Sequence, residues 1–318
     1  YIVSMIKQPL DSKVLEHLDH IPADTKDTYL LCDGQVRLTA IGATRLVNEM
    51  QANFHTGVLE TLVLGKAYIA SLLMASSMKG NDRLQLTVEC GGPIGGYTAE
   101  AWACGAVRGS LVHNPIPLAK PLKDTNLSPL YGPGFLTVTR LIEGNREPVS
   151  GQIMIEHGSL AKDLALYYQQ SEQIPTLVDL AMQFDKAGHP SGAGGLLFQL
   201  MPGCDEKAIK QVEQVGSHLK PVGAWLENGL DMQAYVNVHC AELRPQHLDS
   251  GMVGFSCPCT KERFAGYLQH LPEDTRKDIL TKGPFPLELT CGNCGSRYTF
   301  EKEALARLLN EPADKEKK

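Results

Sequence analysis

The sequence predicts an α+β protein: a large N-terminal body of sheet and segregated helices over residues 1–220, a connecting region over 221–250, and a small C-terminal four-cysteine zinc domain over 251–310, with 311–318 as a tail. Three observations carry this. Gly57 to Met78 is apolar at three- and four-residue steps, the period of a helix face. "RLQLTVEC" alternates apolar and polar residues, the period of a half-buried strand. The last sixty residues hold two tight cysteine pairs and little else that builds a core.

The elements run in order along the chain. Leu30 to Cys32 reads as a short strand, Asp33-Gly34 as a turn, and the residues up to 54 as a polar helix. In the helix from Gly57, Val58, Leu62, Ile69, Leu72 and Leu73 share a face, and Gly80-Asn81 ends it. Leu84, Leu86, Val88 and Cys90 point one way from the next strand, and "GGPIGG" turns it into the strand "YTAEAWA". "GGPIGG" lacks the Gly-Lys-Ser/Thr ending of a phosphate loop and is read as a turn. "FLTVTRLI" and "SGQIMIE" form a hairpin around "EGNREP", and "SLAKDLALYYQQ" is a helix. Segregated sheet and helices make the body α+β. Residues 221–250 show no sustained period and read as a connector able to pack or come loose, and "EKEALARLLN" is a terminal helix.

Composition narrows the function. The chain has 318 residues, 43% hydrophobic, enough for one large and one small domain. A net charge of −6 argues against a nucleic-acid partner, which would leave a basic face. The most apolar run is broken by Glu60 and Lys66, so it reads as a buried helix and no membrane is expected. The first fourteen residues lack a secretory pattern. Nine cysteines, an odd number, suit a reducing cytoplasm better than a secreted disulfide framework. No nucleophile elbow is present, and His113 and His189, beside prolines, read as turn residues.

Cys257-Pro258-Cys259 and Cys291-Gly292-Asn293-Cys294 are separated by 31 residues. Two thiolate pairs converging from different sides suit one tetrahedral zinc ion. Gly292 and Gly295 are expected to make the tight turn around the sulfurs. Lys261, Arg263, Lys282 and Arg297 surround the motif and favour thiolate. A plain structural zinc ribbon and a redox-responsive site both fit these residues, because oxidised thiols no longer bind metal. Cys32, Cys90 and Cys104 are read as small buried hydrophobes, and Cys204 as an exposed turn residue. His239-Cys240 lacks an acidic orienter for catalysis.

With these residues in hand, the chain resembles the redox-regulated heat-shock proteins of 33 kilodaltons, bacterial holdase chaperones. The resemblance rests on the cysteine pattern, on "LGKAYIASLLMASSMKGNDRLQLTVECGGPIGGYTAEA", and on "GAVRG", "SEQIPT" and "GGLLFQLMPG". It implies a stress-response protein, not an enzyme and without nucleotide, with a client-binding body, a redox-sensitive linker over 221–250 and a zinc switch. Cys257, Cys259, Cys291 and Cys294 would hold one zinc in the reduced, inactive form. Oxidation would form the disulfides Cys257–Cys259 and Cys291–Cys294, unfold the C-terminal domain, loosen the linker, expose apolar surface to unfolding proteins and favour a homodimer. The sheet face of Leu84, Leu86 and Val88, or the connector from Trp225 to Tyr235, would supply the client surface, unless both are ordinary core. The alternatives are a thiol-disulfide oxidoreductase using Cys291 and Cys294, motivated by Cys-x-x-Cys, and a nucleic-acid-binding zinc ribbon.

Overall fold

The computed structural model describes residues 7–118 and 126–310, so the expected tail at 311–318 and residues 1–6 lie outside the described residues. Two compact units divide the chain, Gln8–Phe255 and a second beginning at Ser256.

The first unit opens with α1 (Ser12–Leu18), β1 (Thr25–Leu31), β2 (Val36–Gly42), α2 (Thr44–Phe54) and α3 (Val58–Ala75). It continues with β3 (Arg83–Cys90), β4 (Gly96–Trp102), β5 (Ala106–Leu111), α4 (Ser128–Tyr131), β6 (Gly134–Leu141), β7 (Val149–Met154) and α5 (Leu160–Tyr167). A π-helical turn at Tyr168–Glu172 leads to β8 (Thr176–Phe184) and β9 (Pro190–Leu200). Then come α6 (Glu206–His218), α7 (Val222–Glu227), α8 (Met232–His239), β10 (Gln246–Met252) and β11 (Gly254–Phe255).

Two sheets result. One runs β10-β1-β2-β9-β8 and the other β11-β5-β4-β3-β6-β7. Helix α3 packs on strands of both, and nearly every residue along it is buried. It alone, among the described helices, is long and apolar enough to cross a membrane, and 83% of that stretch is buried in the unit. Tyr68 ties it to one sheet by donating its hydroxyl to the Gly109 carbonyl at 2.9 Å. Ile69 meets the other at Gly195, where a Cβ would lie 2.8 Å from the Ile69 Cγ2.

Leu84, Leu86 and Val88 are at most 1% exposed, and α3 packs on their strand. The face expected as a client surface is therefore core. The alternation of "RLQLTVEC" holds to Val88, but Cys90 is only half-buried where the strand meets its turn. "GGPIGG" is that turn, with no helix behind it. The expected polar helix directly after Asp33-Gly34 is corrected: β2 comes first, because Val36, Leu38, Ala40 and Ile41 are needed to pair β1 with β9.

The far face of the first sheet carries a second core. Tyr29, Leu31, Val36, Leu38, Leu196 and Phe198 from the strands meet Val222, Leu226, Met232, Tyr235, Val236 and Leu243. Residues 221–250 are thus folded: α7 and α8 cover the sheet, and β10 adds a strand antiparallel to β1, with Asp27 opposite Ser250. The glycines of β9 let α7 approach closely, since a Cβ at Gly192 would collide with the Gly223 carbonyl.

The second unit contains α9 (Lys261–Gln269), α10 (Glu273–Lys282), the hairpin of β12 (Leu287–Thr290) and β13 (Arg297–Phe300), and α11 (Lys302–Asn310). Besides the cysteines, its buried apolar residues among those described are Leu268, Tyr298, Phe300, Leu305 and Leu309. Gln269 and Arg276 donate to the Leu308 and Leu309 carbonyls and hold α11 to α9 and α10.

Candidate metal centre

Cys257 and Cys259 lie on the stretch just before α9, which Thr260 caps by accepting from the Arg263 N–H at 3.2 Å. Arg263 also donates to the Pro258 carbonyl at 3.1 Å, fixing the Cys-Pro-Cys backbone to the helix. Cys291 and Cys294 form the turn between β12 and β13. There the Cys291 N–H donates to the Ser296 carbonyl and the Gly295 N–H to the Cys291 carbonyl, each at 2.8 Å. Gly295 has φ +72°, which an L side chain resists. Gly292 is different: a Cβ there meets open space and its φ is ordinary, so the turn needs only the second glycine.

The four sulfurs lie within 4.8 Å of one another and all four residues are buried. Cys257 to Cys291 is 4.0 Å and Cys259 to Cys294 is 3.4 Å. Sulfurs about 2.3 Å from one tetrahedral ion stand roughly 3.8 Å apart. The separations and the all-thiol chemistry therefore fit a single soft or borderline cation, and the set can hold one metal ion. When bound, such an ion supplies positive charge and a tetrahedral anchor.

Electrostatics agree. Cys291 is drawn down to about 7: the Cys257 sulfur opposes this, and hydrogen bonds from Cys259 and Cys294 outweigh it. Cys259 and Cys294 are pushed up, foremost by the Cys257 sulfur. The cluster gives up a first proton readily and holds the rest, because adjacent thiolates repel. A dication relieves that repulsion.

Tyr298, which sequence reasoning missed, joins the two halves. Its hydroxyl donates to the Cys259 carbonyl at 2.9 Å and lies 3.1 Å from the Cys259 sulfur. Its ring packs tilted against Phe264 of α9, with centroids 5.0 Å apart. Ser296 accepts from the Cys294 sulfur at 3.2 Å. The signal was faint: a tyrosine four residues past a cysteine, on a strand too short to show a period. Among the expected cationic neighbours, Lys282 pairs with Asp278 at 2.8 Å and Lys261 sits over the Phe300 ring at 5.1 Å.

The other cysteines divide. Cys32 and Cys240 are buried, and desolvation pushes the Cys240 thiol up to about 12, which makes it unreactive. Cys104, expected to be buried, is exposed on the turn between β4 and β5. Cys204 is half-buried, not exposed, because it packs against the second core of the first unit. His113 and His189 lie on bends and turns.

The site and fold define a class: an α+β protein whose small second unit is built on a buried four-thiol centre. A family model described as Hsp33 protein matches residues 24–301. The 33 kDa chaperonin of Bacillus subtilis (strain 168) is 33% identical over 285 residues, covering 89% of this chain and 97% of the relative. That of Geobacillus sp. (strain WCH70) is 32% identical over 289 residues, covering 88% and 95%. The crystal structure of a 33 kDa chaperonin, a heat shock protein 33 homolog from Thermotoga maritima, superposes with a TM-score of 0.81 over 91% of this chain and 98% of that one, at 24% identity, and shares the fold. The chain belongs to the Hsp33 family, a family of chaperones and not of enzymes.

Proposed function

We propose that this chaperone is an ATP-independent, cytoplasmic holdase switched by the oxidation of Cys257, Cys259, Cys291 and Cys294. Those four thiolates hold one zinc ion in the reduced, inactive form. The observation that carries the reading is the dependence of the second unit on its sulfurs: four of its nine buried apolar positions among the described residues are the cysteines. A unit with so small a core draws most of its folding free energy from the metal, roughly 10 kcal/mol or more for such a centre.

Oxidation to Cys257–Cys259 and Cys291–Cys294 removes two electrons per pair, taken up by an oxidant such as peroxide or hypochlorite. The disulfide sulfurs lack the negative charge a cation requires. The second unit then melts, and the connecting segment 221–250 loosens from the first sheet. Its departure uncovers Tyr29, Leu31, Val36, Leu38, Leu196 and Phe198. Apolar surface of this kind binds unfolding proteins without sequence preference, at roughly 25 cal/mol per Å² buried, and favours a homodimer of the oxidised form.

The test is aggregation of a chemically unfolded client, measured with reduced and with oxidised protein, alongside released zinc, free thiols and mapped disulfides. Suppression only after oxidation is expected, with one zinc released as four thiols disappear. Equal inactivity in both states refutes the reading.

A further inference from the structure

Strand β1 turns Asp27, Tyr29 and Leu31 toward the core beneath α7 and α8; Tyr29 and Leu31 belong to that core, and all three are buried. Asp27 is thus a carboxylate on an apolar row, and it is 1% exposed. A carboxylate so buried is tolerated only with a full set of donors. Most come from the connecting segment. Ser250 of β10 donates to its Oδ1 at 2.5 Å, and Gln233 of α8 donates to the same oxygen at 3.1 Å. The His247 Nε2 of β10 lies 3.4 Å from that oxygen and 2.8 Å from the Ser250 hydroxyl. Thr25, on β1 itself, donates to Oδ2 at 3.0 Å. One buried group therefore gathers polar atoms from two separate elements of the connector. Of the other side-chain ties, Arg244 to Asp33 at 2.6 Å joins exposed groups, which contribute little, and Ser191 donates to Glu227 at 2.6 Å, ahead of residues 232–252.

We propose that Asp27 is the latch that holds residues 232–252 on the first sheet: the positioning residue that keeps the connector closed while the cysteine centre is intact. The inference rests on the reading of that connector as the segment released on oxidation. The apolar contacts of α8 supply area without geometry, whereas the Asp27 cluster fixes register, since Asp27 pairs with Ser250 across the β1–β10 ladder. Loss of the carboxylate removes the acceptor that Ser250 and Gln233 share, leaving Gln233 only a 3.4 Å contact to the Ser250 hydroxyl. The latch and the cysteines are close in sequence, with Cys257 seven residues past Ser250.

The test is hydrogen exchange on the reduced, zinc-loaded full chain, with zinc content measured in each variant. In Asp27→Ala, amides of 232–240 and 246–252 are expected to exchange at least tenfold faster, with β3, β4 and β6 unchanged. Asp27→Asn, which keeps volume and an acceptor oxygen, is expected to restore most of the protection, whereas Asp27→Leu, which keeps volume without an acceptor, is not; a general packing defect would be repaired by both. Unchanged exchange in folded Asp27→Ala overturns the proposal. If Asp27→Ala fails to fold, Gln233→Ala with Ser250→Ala, both exposed positions, removes two donors; faster exchange over the same segments supports the latch, and none overturns it. These readouts do not depend on client binding. Should oxidised wild-type protein fail to hold a client, the switch reading falls while the exchange still decides the latch.

Discussion

Helix α3 in the first unit is buried on nearly all sides, whereas α10 in the second has no buried residue at all. The first unit stacks two sheets on one helix and covers the far face of the first sheet with more helices, so most apolar side chains meet other apolar side chains. Among the described residues, the second unit gathers five buried hydrophobes and four sulfurs. Size explains the difference, because a domain of some sixty residues buries too small a fraction of its surface for a core alone to hold it. The two units therefore divide the labour. The first rests on apolar packing, and the second on a few hydrophobes and its sulfurs.

The largest effect should come from removing a sulfur. In Cys294→Ser, metal affinity should fall by more than the roughly 10–100-fold that an outer-shell change costs. Residues 256–310 should lose exchange protection, followed by the connector 221–250, and strands β3, β4 and β6 should keep theirs. A chelator should reproduce this in the wild-type protein. An equal loss of protection in those three strands would abolish the contrast.

The converse substitution is Leu86→Ala, at a side chain with 0% exposure. A cavity there should cost about 2–5 kcal/mol of the first unit's stability. Calorimetry should show that transition lowered, and a zinc titration should show unaltered affinity.

Tyr298→Phe sharpens the comparison within the second unit. It deletes a hydroxyl that donates to the Cys259 carbonyl and touches its sulfur, while keeping the ring on Phe264. Metal affinity should fall about 10-fold, at the lower end of outer-shell effects, as read by competition with a chromophoric chelator.

A pH dependence confined to the first unit completes the comparison. Burial pushes Asp24 up to about 7 from an ordinary 3.8, against the N–H groups of Leu46 and Arg45 that it accepts from. The folded state therefore binds a proton that the unfolded chain has released between about pH 4 and 7. Linkage makes this contribution complete below the unfolded value and progressively lost as pH rises toward 7. Asp24→Asn should flatten that part of the first unit's melting temperature profile, leaving the second unit's unchanged.

Much of this was legible in the chain. The α3 helix, β3 and β4, the hairpin of β6 and β7, and α5 all carry a clean local period. The four cysteines announce their chemistry by type and spacing. Where local pattern failed, a partner supplied the pattern. Strand β2 alternates only over "VRLTA", with Arg37 and Thr39 opposite Val36, Leu38 and Ala40, and both faces are covered, so only its pairing with β1 and β9 separates it from the helix that follows. Strand β9 reads "PSGAGGLLFQL", glycine-rich where a strand should be bulky, because helices press on it closely. Asp27 looks like any surface aspartate until β10 and α8 close over it.

By itself, then, the sequence determined the materials: which stretches repeat with a helical or strand period, and which side chains carry a thiol able to grip a cation. Only the tertiary structure decided that the connector is folded onto a sheet, that the "RLQLTVEC" face is core, and that Tyr298 and Asp27 hold sulfur and strand in place. The reason is range. Periodicity and motif spacing are properties of neighbours along the chain, while burial and hydrogen-bond partners belong to residues hundreds of positions apart, such as Asp27 and Ser250, which only folding brings together.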